Sequence, residues 1–264
     1  MYTSKEKIRN HIRKQYSKAA NKEAQGCCGS GCGCGCDGTA VDISEVSKKL
    51  GYTEKDFFDA PLNSNMALGC GNPVAIASLK EGEIVLDLGS GGGFDCFLAR
   101  KQVGATGLVI GVDMTPDMIT LARKNADKSE YANVEFRLGE IEHLPVADNA
   151  VDVIISNCVI NLSLDKAQVF KEAYRVLKSG GRLSISDVVA IAKIPEQVQQ
   201  NLDMVSACIG GAEQIDKIKD MLKKAGFKEI KITLKDNSKE IVKSWAPSTK
   251  IEDYVASAII EAKK

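Results

Sequence analysis

Nine cysteines set against two histidines, His11 and His143, define the chemistry open to this chain. So little histidine argues against a Ser-His-Asp hydrolase or a His-ligated zinc enzyme and points to sulfur. No Cys-x-x-Cys pair occurs. In a reducing compartment such thiols read as ligands, redox groups or catalytic thiols before structural disulfides. Three of them fall at the ends of expected elements: Cys70 in Leu68-Gly69-Cys70-Gly71-Asn72-Pro73, Cys158 just after a β-branched run, and Cys208 in Ser206-Ala207-Cys208-Ile209-Gly210-Gly211. Taken singly, each reads equally well as an inert core thiol. Taken together, with no histidine beside them, they suit a soft, three-coordinate, thiophilic ion better than an oxygen-seeking metal. Cys96 lies within an expected helix and reads as a packed core thiol. The other five, Cys27, Cys28, Cys32, Cys34 and Cys36, crowd the glycine-rich stretch 26–38, where regular structure is disfavoured. A soft-metal-scavenging tail, a tightly spaced zinc or iron–sulfur knot, and a thiol that exchanges with Cys70 all stay open there.

The second chemical feature is a glycine loop, Val85-Leu86-Asp87-Leu88-Gly89-Ser90-Gly91-Gly92-Gly93-Phe94-Asp95. Its glycines permit a tight strand-to-helix turn and close approach of a ligand to the backbone, at a helix N-terminus. Asp87 precedes the turn, and Asp113 follows Gly93 by twenty residues, where a ribose-binding carboxylate belongs. On spacing alone a dinucleotide-binding turn competes, although the third glycine comes one residue early for it. A further acidic position follows in Gly139-Glu140-Ile141-Glu142, and another β-branched run ends at Asn157-Cys158.

Periodicity supplies the elements that must hold these groups. Strand-like runs at Ile84–Leu88, Leu108–Val112, Val134–Leu138, Val151–Ser156 and Arg182–Asp187 alternate with helical stretches at Phe94–Val103, Pro116–Lys128 and Lys166–Leu177. That alternation predicts an α/β fold with a mostly parallel sheet. Residues 3–20 place Ile8, Ile12, Tyr16 and Ala19 at helical spacing, and a short helix is expected at Ile43–Leu50. Beyond Ile191, helices are expected at Glu196–Ala207 and Glu213–Ala225, then Lys228–Thr233 and Tyr254–Ala262 as an antiparallel pair finishing the sheet. The organisation predicted is a helical, Cys-rich N-terminal extension (1–65), a ligand-binding core (66–192) and an α+β C-terminal extension (193–264). With 264 residues, 44% hydrophobic and 27% charged, the chain can bury a sizeable core. Its 35 basic and 35 acidic side chains balance, which argues against nucleic-acid or anionic-membrane partners. Residues 1–18 are charged throughout, and no run of about 18 apolar residues occurs, so a cytoplasmic protein is expected.

Over residues 66–190 these motifs resemble the class I S-adenosylmethionine-dependent methyltransferases. The resemblance implies a Rossmann-like core in which Gly89, Ser90 and Gly91 wrap the methionine end of the cofactor, with Asp87 at the base of the loop. It further implies Asp113 on the ribose hydroxyls, Met114, Ile141 and Glu142 around the adenine, and Asn157 facing the cofactor from the fourth strand. Leu68 to Pro73, Ser156-Asn157-Cys158-Val159-Ile160-Asn161-Leu162, Cys208-Ile209-Gly210-Gly211-Ala212, Ser244-Trp245-Ala246-Pro247 and Glu252 to Ala258 resemble, more narrowly, the arsenite methyltransferase family. This likeness spans residues 61–264. It implies Cys70, Cys158 and Cys208 as the catalytic, arsenic-binding thiols, with an upstream thiol such as Cys27 or Cys28 as a further candidate. Trivalent arsenic on three sulfurs keeps a lone pair and carries no proton, so transfer needs positioning and no general base. Methylation oxidises the arsenic, so turnover calls for two electrons from thiols, with an enzyme disulfide later reduced by thioredoxin or a small thiol. Two other readings compete: a methyltransferase for a small organic acceptor such as a quinone or phenol, and a non-catalytic protein that binds arsenic or another soft metal.

Overall fold

In chain order the computed structural model has α1 (Lys5–Asn21), α2 (Ile43–Lys49), α3 (Glu54–Asp59), α4 (Pro73–Ile76), β1 (Ile84–Leu88), α5 (Phe94–Val103), β2 (Leu108–Asp113), α6 (Pro116–Lys128), β3 (Val134–Leu138) and β4 (Val151–Asn157). There follow α7 (Lys166–Val176), β5 (Leu177–Ala190), α8 (Glu196–Gln200), α9 (Leu202–Ser206), β6 (Glu213–Gln214), α10 (Ile215–Ala225), β7 (Lys228–Leu234), α11 (Ser238–Trp245) and β8 (Val255–Lys263). The structure describes residues 5–21, 43–61, 63–129, 131–245 and 250–264, without the side chains of residues 244 and 245. Cys27, Cys28, Cys32, Cys34 and Cys36, and the side chains of the Ser244-Trp245-Ala246-Pro247 motif, therefore lie outside it.

One sheet carries the fold, in the order β3-β2-β1-β4-β5-β8-β7, with β6 paired to β5. Strands β1 to β5 are parallel, while β8 runs antiparallel between β5 and β7. Both faces of the central strands are covered, which is why β1 and β4 are apolar almost without alternation. Val85, Val109 and Ile155 pack with Phe97 and Ala99 of α5 on one face. Leu86, Ile110 and Ile154 pack with Val169 and Phe170 of α7 and Leu222 of α10 on the other. Because β1 to β5 are parallel, the loops leaving them gather along one edge, the usual ligand side of such sheets.

Three boundaries differ from the sequence reading, each for a local reason. The helix expected over 196–207 splits at Asn201, whose carboxamide accepts from the backbone of Asp203 and Met204 at 2.9 and 3.2 Å and caps α9. The one expected over 213–225 begins at Ile215, because Glu213 and Gln214 pair with Val189 and Ala190 of β5. The last core strand is longer than 182–187 and starts where α7 stops, at Leu177, across from Val151. The N-terminal α1 lies over the ligand edge. Ile12 is fully buried, Ile8 and Tyr16 pack beside it, and Arg9 and Arg13 form ion pairs with Glu142 and Glu140 of the β3–β4 connection.

Candidate active site

A cleft opens along that edge. Asp87, Gly89, Ser90, Gly91, Asp113, Met114, Ile141, Glu142 and Asn157, the residues carried by the class I resemblance, all line it. Gly89 turns the chain out of β1 at φ +73, and a Cβ there would lie 2.2 Å from Val159 Cγ2, so only glycine fits. Asp113 sits at the end of β2 with its carboxylate fixed by two backbone N–H groups, Gly91 at 3.0 Å and Thr115 at 2.8 Å. Burial raises its pKa, and those two donors oppose the rise. Glu142 accepts from Ser163 Oγ at 2.7 Å and faces Arg9 of α1 at 3.5 Å.

The floor of the cleft holds two buried carboxyls, Asp87 and Asp95. Among the described residues neither meets a cationic side chain. Asp87 receives only the Cys96 thiol, at 3.2 Å, so Cys96 is a core thiol that also holds a site carboxyl. Asp95 receives Tyr52 Oη at 2.6 Å and Asn157 Nδ2 at 3.1 Å. Burial pushes the Asp95 carboxyl up to about 6 and raises Asp87 as well. Ser90 Oγ is buried in the same loop with no hydrogen-bond partner among the described residues. Uncompensated acids, a spare hydroxyl and a glycine turn fit a cationic ligand bearing an ammonium and a sulfonium, together with a ribose for Asp113.

Behind the cleft lie the three cysteines. Cys70 and Cys158 are joined in a disulfide, with Cα atoms 5.8 Å apart, and Cys208 is a thiol. All three are buried, and only Cys158 reaches the cleft wall. The sequence places all three thiols at the ends of elements, where a ligand could reach each of them. The structure places two of them deeper: Cys70, bonded to Cys158, packs beside Ser186 and Ser257, and Cys208, still a thiol, packs under Ile12 and Tyr16. Convergence itself is seen: Cys208 Sγ donates to the Cys158 carbonyl at 2.7 Å. Cys158 and Cys208 both adopt left-handed backbone, at φ +55 and +63, a costly conformation for a side-chain-bearing residue that clusters at functional sites. Burial raises the Cys208 pKa, the nearby Asp187 adds to the rise, and Lys166 and the Tyr16 hydroxyl oppose it.

Four residues at this centre carried no sequence assignment. Asp187, at the thiol end of β5, has a carboxylate oxygen within 4.8 Å of both disulfide sulfurs. It is held by Asn161 Nδ2 at 2.9 Å and by the backbone of Ile160 and Val188 at 2.9 and 2.7 Å. Tyr16 of α1 lines the cleft and donates to the Ser206 carbonyl at 3.3 Å, two residues before Cys208. Tyr52 and Asp95 complete the floor. Asp95 was open to detection, as an acid in the first helical turn after a glycine loop. The two tyrosines gave no signal, since both arrive from segments remote in sequence.

The sheet order, the glycine turn and the acid-floored cleft define a class I S-adenosylmethionine-dependent methyltransferase. A methyltransferase-domain family model matches residues 79–226. The chain belongs, within that class, to the arsenite methyltransferase family. It is 48% identical to an arsenite methyltransferase of Halobacterium salinarum, over 98% of this chain and 67% of that one. It is 40% identical to the arsenite methyltransferase of Homo sapiens, over 60% of this chain and 44% of the human protein. The crystal structure of an arsenic(III) S-adenosylmethionine methyltransferase from Chlamydomonas reinhardtii superposes with a TM-score of 0.61 at 33% identity, covering 83% of this chain and 73% of that one. The chain thus spans about two thirds of the halobacterial relative and less than half of the human one.

Proposed function

We propose that this chain transfers a methyl group from S-adenosylmethionine to trivalent arsenic bound by Cys70, Cys158 and Cys208. The observation that carries the reading is the meeting of the three cysteines beside the cofactor cleft, with Cys158 forming part of its wall. An organic acceptor such as a quinone has no use for that arrangement. The cofactor, when bound, supplies an electrophilic methyl on a positively charged sulfur.

The chain's own groups do the rest. Asp87, Asp95 and Ser90 hold the charged methionine end, and Asp113 holds the ribose. With the disulfide reduced, the three thiols condense with arsenite, each thiol proton leaving with an arsenic hydroxyl as water, and hold the arsenic as a pyramid. Cys158, on the wall between the two half-sites, turns the lone pair toward the cleft. The arsenic–carbon bond forms as the carbon–sulfonium bond breaks, and arsenic becomes formally pentavalent. Two arsenic–sulfur bonds then break as their cysteine sulfurs give two electrons to arsenic and join as a disulfide; arsenic returns to the trivalent state on the third sulfur, and water fills its open position with loss of a proton. The Cys70–Cys158 pair supports this step, since its sulfurs are within bonding distance in this fold. A dithiol reductant, thioredoxin or a small cytoplasmic thiol, restores the pair. Cys27 or Cys28 is a candidate for capturing arsenic before it reaches Cys70.

Incubation with arsenite, excess small thiol and S-adenosylmethionine, followed by arsenic speciation, tests the reading. Methylated arsenic is expected from the wild type and none from Cys158→Ser. Methylation retained in that variant overturns the three-thiol arrangement.

A further inference from the structure

Between the acid floor of the cofactor cleft and the Cys70–Cys158 disulfide stands one carboxamide, Asn157. The class I resemblance assigns it to the cofactor, yet its polar atoms are committed elsewhere. Its Oδ1 accepts from the backbone N–H of Cys70 at 2.9 Å. Its Nδ2 lies 2.7 Å from the Gly71 carbonyl, 2.9 Å from Tyr52 Oη and 3.1 Å from Asp95. The approach of the loop is close: a Cβ on Gly69 would fall 2.4 Å from Asn157 Nδ2. On the far side Tyr52 Oη donates to Asp95 at 2.6 Å. The path Asp95–Tyr52–Asn157–Cys70 is therefore continuous in hydrogen bonds, with its first three members lining the cleft.

We infer that Tyr52 and Asp95 are positioning residues that couple occupancy of the cofactor cleft to the reactivity of the Cys70–Cys158 pair, acting through Asn157. Asp95 is a buried acid without a cationic partner among the described residues, so a cationic ligand engages it directly. A ligand that fixes Asp95 fixes Tyr52 and Asn157, and with them the backbone on both sides of Cys70. Lys235 Nζ and Ser257 Oγ donate to the Cys70 carbonyl and Asn72 anchors the loop after it, while among the described residues the Cys70 N–H is met by Asn157 Oδ1. An occupied cleft thus holds Cys70 against Cys158, and an empty one lets the pair open to a reductant. The inference rests on the cofactor site and not on the identity of the methyl acceptor.

The test needs no arsenic. The chain carrying the Cys70–Cys158 disulfide is reduced with dithiothreitol, with and without saturating S-adenosylmethionine. Thiol labelling and peptide mass spectrometry time the appearance of the Cys70 and Cys158 thiols; two electrons pass from the dithiol to the disulfide, giving two protein thiols and oxidised dithiothreitol. In the wild type the ligand slows reduction at least about fivefold, the lower end of ordinary site-to-site coupling. In Tyr52→Phe and in Asp95→Asn, saturated with ligand as verified by calorimetry, the slowing falls below about twofold. Equal slowing in all three proteins would show that the ligand merely covers the disulfide and would overturn the inference. A wild-type rate indifferent to ligand would overturn it too. Should Tyr52→Phe fail to fold, Asp95→Asn decides alone. Failure of the arsenic reading shows separately, as absence of methylated arsenic.

Discussion

Asp95→Asn tests the electrostatics of the cleft floor, and the burial of the acid without a cationic partner among the described residues gives its sign. Burial holds the proton on Asp95 until about pH 6, whereas an ordinary aspartate releases it near 3.8. Between those values the folded chain binds more protons than the unfolded one, so this group's contribution falls as pH rises through that window and stays unfavourable above it. At about 1.4 kcal/mol per pH unit the loss reaches about 3 kcal/mol above pH 6. Asparagine has no proton to lose. It keeps an acceptor for Tyr52 but faces Asn157 Nδ2 with a donor where Asp95 accepts, which costs about 1 kcal/mol. The ligand-free variant is thus expected to be about 2 kcal/mol more stable than wild type at pH 8. Near pH 4 it is expected to be slightly less stable. Urea unfolding of the oxidised, cofactor-free proteins from pH 4 to 8 measures this; Asp187 is shared by both and cancels in the difference, while Asp87, whose pKa the Asp95 charge raises, is relieved in the variant and moves the difference the same way. S-adenosylmethionine should bind the variant at least about tenfold more weakly, since a buried acid facing the cationic ligand is lost. Parallel stability curves, or a variant less stable at pH 8, would refute a buried acid held for a cationic ligand.

Other outcomes follow from single contacts. Gly89→Ala forces a side chain against Val159 at φ +73, so cofactor affinity is expected to fall by about two orders of magnitude in calorimetry, with about 1–3 kcal/mol lost in unfolding. Tyr16→Phe removes the hydroxyl from the Ser206 carbonyl and from Cys208; steady-state assays of arsenite methylation should show kcat lowered about tenfold and cofactor KM unchanged. Arg9→Ala cuts a half-exposed ion pair to Glu142 and Glu140, and calorimetry should find cofactor affinity reduced no more than about fivefold, a difference that shrinks in high salt.

The parallel core was legible because doubly covered strands must be apolar along their length, and Ile84–Leu88 and Val151–Asn157 are. The cleft-lining residues were legible for a related reason: strand-to-helix turns place Gly89 and Asp113 by chain geometry, at fixed distances along the sequence. What stayed hidden depends on contacts across long separations. Tyr16 reaches Cys208 from 192 positions away, and Tyr52 reaches Asp95 across 43. No periodicity encodes either meeting. The break at Asn201 escaped because a capping residue within an amphipathic run looks like one more polar position. Cys70 and Cys158 were identified as partners in one centre, but their bond to each other depends on how β4 and the loop before α4 come together, which spacing does not specify.

In the proposed cycle, methyl transfer to thiol-bound arsenic is completed by electrons from the chain's own cysteines. Its most direct test is a single turnover. Fully reduced protein, freed of external thiol, is mixed with one equivalent of arsenite and excess S-adenosylmethionine, then quenched for arsenic speciation and disulfide mapping. Trivalent methylated arsenic and the Cys70–Cys158 disulfide are expected in equal amounts, rising together. Methylated arsenic formed while Cys70 and Cys158 remain thiols would contradict it.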